Sequence, residues 1–229
     1  MKILRHLPNL LTCSNLLCGC LGVLFIFHNP PQTAAYFVWA ACVFDFFDGF
    51  AARWLKVSSP IGKELDSLAD MVSFGVLPAL VMFTLIDSLE PHAELAYVAL
   101  LIAVFSALRL AKFNIDETQK ESFSGLPTPA NGLFITSLVF LPTPFEGILA
   151  SVPALVAITL LFSALMVTPV ELFALKFKNF SWTDNSLRFT FLGLAVLLVV
   201  FFQAGAIPLI ILLYILLSLT KRMFNIQKN

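Results

Sequence analysis

The feature that most constrains this chain is the recurrence of apolar runs of about twenty residues along its length of 229 residues. A helix of that length crosses the hydrocarbon core of a bilayer, which is roughly 30 Å thick. Hydrophobic residues make up 59% of the sequence and charged residues 12%, about half the charged fraction of soluble domains. Backbone polar groups in lipid must pair within their own segment, which favours helices. The sequence therefore predicts an all-α, polytopic transmembrane helix bundle.

Eight apolar segments are separated by gaps rich in Pro and Asn. They cover approximately residues 8–28, 33–56, 62–86, 92–112, 128–143, 147–170, 187–203 and 205–222. With eight spans, all 14 Lys and Arg residues fall on one side of the membrane, which the positive-inside rule assigns to the cytoplasm. We therefore expect one integral domain, residues 1–229, in the cell (inner) membrane, with both termini in the cytoplasm. The formal net charge of zero indicates no nucleic-acid partner.

Four aspartates lie in the segment 45–70, within the second and third predicted spans. Asp45 and Asp48 are three residues apart, and Asp66 and Asp70 are four apart, so each pair occupies one helical face. The short connection between the two spans makes them antiparallel neighbours, so the two pairs can face each other. A rise of about 1.5 Å per residue places all four in the cytoplasmic half of the bilayer. They should be directed into the bundle, because charge facing lipid is very unfavourable.

Four neighbouring carboxylates repel one another unless a cation compensates them. Oxygen ligands suit Mg²⁺ or Mn²⁺, and two such cations suit phosphoryl transfer. The small residues Gly49, Ala52 and Gly62 leave space for a nucleotide carrying a pyrophosphate, and Arg53 can bind a phosphate oxygen by paired hydrogen bonds. The alternative interpretation is a proton relay or an ion pathway, with the glycines serving helix packing alone.

The pattern D-x-x-D-G-x-x-A-R, followed after eight residues by G-x-x-x-D-x-x-x-D, resembles the signature of the CDP-alcohol phosphotransferases at every position. The resemblance implies a homodimer with a six-helix membrane core, to which the last two spans would be additions. It implies that two divalent cations, Mg²⁺ or Mn²⁺, are ligated by Asp45, Asp48, Asp66 and Asp70. It further implies that Asp70 is the general base, that Gly49, Ala52 and Gly62 border the CDP moiety, and that Arg53 contacts its phosphates.

Flanking segments resemble one branch of that family, the integral-membrane bacterial CDP-diacylglycerol–serine O-phosphatidyltransferases. They are LPNLLTCSNLLCGCLGV in the first span, FSALRLAKFN at the end of the fourth and GLPTPAN at the start of the fifth. The resemblance implies transfer of a phosphatidyl group from CDP-diacylglycerol to the hydroxyl of L-serine, giving phosphatidylserine and CMP. The alternatives are the same chemistry with glycerol-3-phosphate or inositol as acceptor, an ether-lipid donor, or a divalent-cation transporter without catalysis.

Further polar residues lie at the cytoplasmic ends of the predicted spans, at the depth of the aspartates. The candidates for binding serine are Arg109, Lys112 and Asn131, and the candidates for contacting the CDP moiety are Asn9, Thr12 and Asn15. The serine carboxylate needs a cationic donor, which Arg109 or Lys112 would supply. The alternative roles are snorkelling towards lipid headgroups for the two cations and helix capping or interhelical hydrogen bonding for the others.

Overall fold

The computed structural model describes residues 3–57, 59–92, 94–115, 123–141, 145–172 and 181–226. The α-helices are α1 (Leu7–Phe25), α2 (Pro31–Leu55), α3 (Pro60–Asp70), α4 (Leu77–Leu89), α5 (Leu101–Ile115), α6 (Thr128–Ser137), α7 (Val152–Val167), α8 (Trp182–Phe202) and α9 (Ala206–Ile226). A π-helical segment, Met71–Val76, joins α3 to α4 without a break and is called the π segment below. Short 3-10 helices occupy Ile3–His6, Glu94–Leu100, Leu138–Phe140, Phe145–Ile148 and Gln203–Gly205.

The predicted polytopic membrane bundle is confirmed. Five helical stretches among the described residues are long and apolar enough to cross a membrane: Leu7–Phe25, Pro31–Leu55, Pro60–Leu89, Glu94–Ile115 and Asn185–Thr220. Thr128–Phe140 and Val152–Val167 are apolar but shorter. The last long stretch covers most of α8 and α9, which pack against each other and are separated at Gln203, where φ is 48°. Each of the eight predicted segments therefore contains a helix.

Helix α6 is shorter than the span that the sequence predicts over residues 128–143. It ends at Ser137 and a 3-10 turn continues to Phe140, a rise of about 20 Å against a core of roughly 30 Å. Leu141 precedes a proline and has φ −55° and ψ 129°, the conformation that a following proline favours. Seven of the ten residues of α6 are buried, so this helix lies inside the bundle rather than against lipid.

The turn between α2 and α3 is determined by local backbone chemistry. Helix α2 ends at Leu55 because Lys56 adopts a left-handed conformation with φ 52°. Helix α3 begins at Pro60, in the first turn, where a missing N–H costs nothing. Ser59 caps it, since its Oγ accepts a hydrogen bond from the Gly62 N–H at 3.1 Å. The turn returns the chain into the bundle, where carboxylates of α2 and α3 approach one another.

Helix α1 packs against α2 on one side and against α3 and the π segment on the other, and it approaches α2 and α3 more closely than they approach each other. Gly19 makes the closest approach, since a Cβ at this position would lie 2.9 Å from Cα and 3.0 Å from N of Ser73. The Ser73 hydroxyl donates to the carbonyl oxygen of Asn15 at 2.9 Å. These contacts fix the position of α1 relative to the acidic helices.

Two apolar clusters surround this arrangement. The larger is formed mainly by α4, α5, α6, α7 and α9 and includes Met82, Ile102, Phe134, Phe162 and Ile211. The smaller joins α1, α2, the π segment and α4 and includes Val38, Phe74 and Leu77. A two-residue ribbon, β1 (Phe123–Ser124) antiparallel to β2 (Glu171–Leu172), links the connection before α6 to the chain after α7. The two apolar clusters and this ribbon together hold α5 and α6 against the π segment.

Gly19→Ala is expected to lower the melting temperature of the purified protein, because the new methyl group collides with the Ser73 backbone and forces α1 away from the π segment. Gly193→Ala on α8 is the matched control, since nothing lies within 4 Å of a Cβ at that position. Alanine there should be neutral or slightly stabilising, because its helix propensity exceeds that of glycine by about 1 kcal/mol. Thermal unfolding in detergent measures both changes, and equal shifts would contradict the close packing.

Candidate active site

The acidic residues of α2 and α3 meet in the structure. Carboxylate oxygens of Asp45, Asp48 and Asp66 lie within 4.8 Å of one another. Asp70 is one turn beyond Asp66, is 7% exposed and lies within electrostatic reach of the other three. The structure thus brings the four predicted metal ligands into one site, with three of them clustered and Asp70 beside them. Their metal-binding roles stay predictions.

The chemistry of the cluster fits a divalent cation. Like charges at this separation repel strongly where bulk water is excluded. Asp66 Oδ1 is buried and accepts no hydrogen bond within the described part of the chain. Such an orphaned carboxylate oxygen is costly unless a ligand satisfies it. Oxygen donors of this kind are the ligands that Mg²⁺ and Mn²⁺ prefer, so these residues are suited to holding one or more such cations.

Helix α1 supplies hydrogen bonds to both acidic helices. The Thr12 hydroxyl donates to Asp48 Oδ2 at 2.6 Å, and Asn15 Nδ2 donates to Asp70 Oδ1 at 3.1 Å. Both donors are buried, with Thr12 3% exposed and Asn15 inaccessible. Hydrogen bonds to carboxylates that bind metal orient them and restrict their rotation. The position of Thr12 and Asn15 therefore fits a role in holding the aspartates, beside the predicted contact with the CDP moiety.

The π segment begins at the residue after Asp70. A π turn adds a residue to the helical turn and often marks a functional site. Here the wider turn directs Ser73 to α1, where it bonds the Asn15 carbonyl, while the Asn15 side chain bonds Asp70. The Asn15 carbonyl therefore bonds to Ser73 of the π segment, and the Asn15 amide group bonds to Asp70 at the end of α3.

A cavity of about 460 Å³ opens beside the carboxylates. It is lined by Arg5, His6, Pro8, Asn9, Thr12, Asp48, Gly49, Ala52, Val57, Ser59, Ile61, Gly62, Lys63 and Asp66. The predicted small residues Gly49, Ala52 and Gly62 are among them, and so are the predicted polar residues Asn9 and Thr12. The volume is in the range of small-molecule sites, and its wall combines two carboxylates with cationic side chains.

Gly49 and Gly62 line this cavity, whereas Arg53 is not among its lining residues. The Arg53 guanidinium is exposed and passes near Gly49, where a Cβ would lie 3.4 Å from Nη1. Gly62 faces α1, where a Cβ would lie 3.1 Å from Asn9 Oδ1. A larger residue at either position would fill space that the cavity now leaves open. The predicted phosphate contact of Arg53 is compatible with this position and stays a prediction.

The three serine candidates occupy different environments. Arg109 is 8% exposed, its guanidinium carbon lies 5.0 Å from the centre of the Phe113 ring, and its charge interacts with Asp70. Lys112 is exposed on α5. Asn131 on α6 is completely buried. The structure therefore brings Arg109 to the aspartates, places Asn131 inside the bundle and leaves Lys112 at the surface.

Several residues of the site were not singled out from the sequence. Ser73 carries the contact between α1 and the π segment, and Arg5, His6, Ser59 and Lys63 line the cavity. Lys63 also ties α3 to α5, because its Nζ donates to the Asn114 carbonyl at 2.7 Å. Ser73 lies three residues after Asp70, so the same helical spacing that paired the aspartates provides a signal for it. The cavity residues depend on the position of α1, for which the sequence has no local signal.

Thr12→Val is expected to weaken Mn²⁺ binding about 10-fold, because a ligating carboxylate loses its orienting hydrogen bond. Ser14→Ala on the same helix is the matched control, since the Ser14 hydroxyl donates to the Leu10 carbonyl at 3.0 Å and to no other group among the described residues. Titration of free Mn²⁺ by electron paramagnetic resonance with the purified protein measures both. Unchanged affinity in Thr12→Val would contradict a metal at Asp48.

Comparison with known proteins agrees with the resemblance inferred from the motif. The family described as CDP-alcohol phosphatidyltransferase matches residues 5–170 of the chain. The matched region contains α1 to α7 and all four aspartates, whereas α8 and α9 lie outside it. This division agrees with the expectation of two spans beyond a family core.

Curated relatives align over the same region or over nearly the whole chain. A protein of Bacillus subtilis (strain 168) named CDP-diacylglycerol--serine O-phosphatidyltransferase is 34% identical over 141 residues, 62% of this chain and 79% of the relative. A protein of the same name from Helicobacter pylori (strain ATCC 700392 / 26695) is 28% identical over 225 residues, 96% of this chain and 92% of the relative. An archaetidylserine synthase of Methanothermobacter thermautotrophicus is 31% identical over 168 residues, 72% of this chain and 68% of the relative.

Proposed function

Because this chain belongs to the CDP-alcohol phosphatidyltransferase family, we propose that it transfers a phosphatidyl group from CDP-diacylglycerol to the hydroxyl of L-serine, producing phosphatidylserine and CMP. The observation that carries this proposal is the cluster of Asp45, Asp48 and Asp66 with Asp70 beside it, next to a cavity of suitable size. The serine acceptor is supported by the names of relatives that align over up to 96% of the chain.

The four aspartates would hold two divalent cations, Mg²⁺ or Mn²⁺. When bound, such cations neutralise charge on the pyrophosphate and on the departing CMP, which is the dominant contribution in phosphoryl transfer. The orphaned Asp66 Oδ1 and the clustered carboxylates support this assignment. Thr12 keeps Asp48 oriented by its hydrogen bond, and Asn15 does the same for Asp70.

Asp70 is proposed as the general base. Its carboxylate accepts the proton of the serine hydroxyl as that oxygen bonds to the phosphorus that carries diacylglycerol. The bond from this phosphorus to the oxygen of CMP breaks, and CMP leaves with that electron pair. Asp70 is suited to this role because it is buried beside the three clustered carboxylates, where a hydrogen bond from Asn15 at 3.1 Å orients Oδ1.

The nucleotide of the donor would occupy the cavity between α1 and the turn from α2 to α3. Gly49, Ala52 and Gly62 leave room for it, and Arg53, which extends past Gly49, would bind a phosphate oxygen. Asn9 lines the same cavity and is the proposed contact to the CDP moiety, together with Thr12 and Asn15 at the level of the phosphates. The acyl chains would lie along exposed apolar side chains such as Phe46 and Phe50.

The membrane location, orientation and oligomeric state of the enzyme are part of the same proposal. We place residues 1–229 as one catalytic domain in the cell (inner) membrane, with the active site and both termini facing the cytoplasm, and expect a homodimer as the family resemblance implies. The distribution of Lys and Arg over alternate connections supports this orientation. Water-soluble serine and CMP would then enter and leave from the cytoplasm.

Similarity to an archaetidylserine synthase favours one second candidate, in which serine is still the acceptor but the donor is a CDP-linked ether lipid. The two donors differ in their hydrocarbon linkages and share the CDP moiety. The same aspartates, cavity and acceptor would serve either reaction, so comparison of the two donors in one assay separates the candidates.

Asp70→Asn is expected to reduce serine-dependent CMP release by about 10²–10⁴-fold, the usual contribution of a general base, because an amide cannot accept the proton. Asp87→Asn is the control, because Asp87 accepts a hydrogen bond from the His92 N–H at the opposite end of α4 and should leave the rate unchanged. The assay uses the protein in lipid nanodiscs with CDP-diacylglycerol or its ether analogue, Mn²⁺ and labelled serine.

The same assay separates the rival functions. CMP release only with glycerol-3-phosphate or inositol would reassign the acceptor and reject serine. The absence of CMP release with every acceptor, together with Mn²⁺ flux into vesicles, would reject catalysis in favour of cation transport. Full activity in Asp70→Asn would remove that residue from the reaction.

A further inference from the structure

One residue of α5 contacts three residues of α3. Asn114, next to the last residue of α5, donates from its Nδ2 to Ser67 Oγ at 2.9 Å, and the same nitrogen lies 3.5 Å from Glu64 Oε2. The Asn114 carbonyl accepts a hydrogen bond from Lys63 Nζ at 2.7 Å. The three partners lie on either side of Asp66 in the chain. The end of α5 is therefore attached to the part of α3 that carries the acidic cluster.

This attachment lies on a different face of α3 from its contacts with α1. At about 100° of rotation per residue, the three partners of Asn114 are centred roughly 100° around the helix from Asp66. Gly62, which faces α1, lies about 40° from Asp66 on the other side of it. Asp66 and Asp70 therefore project between a face held by α1 and a face held by α5. The two contacts together fix the rotation of α3 about its axis.

Asp66 depends on this rotation more than Asp48 and Asp70 do. Asp48 and Asp70 receive hydrogen bonds from Thr12 and Asn15 of α1, which orient their carboxylates directly. Asp66 Oδ1 is buried and unpaired within the part of the chain that the structure describes. This oxygen takes its direction from the helix that carries it.

The contact between α2 and α3 does not hold α3 in place. The two helices approach each other less closely than each approaches α1. Their side chains meet at Asp45, Asp48 and Asp66, whose carboxylate oxygens lie within 4.8 Å of one another, and like charges at that distance repel. This repulsion favours rotation of α3 away from α2, so another contact has to resist it.

We propose that Asn114 is a positioning residue for the metal-binding carboxylates. Its side chain and carbonyl hold α3 in the rotation at which Asp66 and Asp70 face the aspartates of α2, before any cation compensates their charge. This inference rests on the cation site of the proposed function. It assigns Asn114 a role that acts through Ser67 and α3, without contact to a substrate.

The test measures the Mn²⁺ affinity of the purified full chain by electron paramagnetic resonance. Donor and acceptor are left out, so a direct contact with a substrate cannot contribute. Asn114→Leu replaces the amide by an apolar group of similar shape and should weaken Mn²⁺ binding about 10-fold, the lower end of the effect of groups that orient metal ligands. Ser67→Ala removes the oxygen that accepts the hydrogen bond and should weaken binding similarly, although alanine has the higher helix propensity.

A double variant tests whether the two side chains act together. Because Asn114→Leu and Ser67→Ala break the same hydrogen bond, the protein carrying both should bind Mn²⁺ within about 2-fold of the weaker single variant. Ser67→Thr keeps the hydroxyl oxygen and should retain the wild-type affinity. Losses that add in the double variant would overturn the proposal, since the two residues would then act independently.

Asn29→Leu is the matched control, because Asn29 also lies near the end of a helix and its Nδ2 donates to the Phe25 carbonyl at 3.1 Å, away from the aspartates. This variant should leave the Mn²⁺ affinity unchanged, and a loss equal to that in Asn114→Leu would overturn the proposal.

Thermal unfolding of the same samples separates positioning from a purely structural role. A lower melting temperature in Asn114→Leu and Ser67→Ala with wild-type Mn²⁺ affinity would assign the contact to stability alone and overturn the proposal. If Asn114→Leu does not fold, Ser67→Ala and Ser67→Thr decide the question by themselves. Absence of Mn²⁺ binding by the wild-type protein would reject the cation site of the proposed function, and this inference with it.

Discussion

Carboxylates inside a membrane bundle are tolerated only where something compensates them, and this requirement organises the structure. Asp45, Asp48 and Asp66 lie within 4.8 Å of one another, and among the described residues the side-chain donor to this cluster is the neutral Thr12 hydroxyl, which bonds Asp48. A neutral donor orients a carboxylate but leaves its charge in place. Permanent ion pairs with Lys or Arg would have neutralised the charges of these carboxylates. The observed arrangement instead leaves the charge available for a cation.

Helix α1 makes this arrangement rigid. It packs against α2 and against the rod formed by α3 and the π segment, which approach each other less closely, so the acidic side chains meet across a space that α1 borders. Gly19 and Ser73 set the position of α1, and Asn15 connects that contact to Asp70. On the far side of the π segment, α5 and α6 approach Gly75 and Phe74.

The sequence predicts the bundle, the helical segments and the convergence of the aspartates, because apolar length and the three- and four-residue spacings are local properties. It does not predict the π segment, since one extra residue in a turn shifts every later side chain without changing the apolar pattern. It does not show that Thr12 and Asn15 reach the aspartates, because that depends on how deeply Gly19 lets α1 approach Ser73. The short α6 also escaped prediction, since its apolar residues continue past the point where Leu141 becomes extended before a proline.

We propose that the acidic residues of α2 and α3 together bind two divalent cations. Anomalous scattering from Mn²⁺ in crystals of the protein grown with CDP-diacylglycerol is the decisive measurement. We expect two anomalous peaks, each within about 2.0–2.6 Å of carboxylate oxygens from Asp45, Asp48, Asp66 or Asp70. Nucleotide density in the cavity with no anomalous peak between the two helices, or with carboxylates turned away from one another, would contradict it.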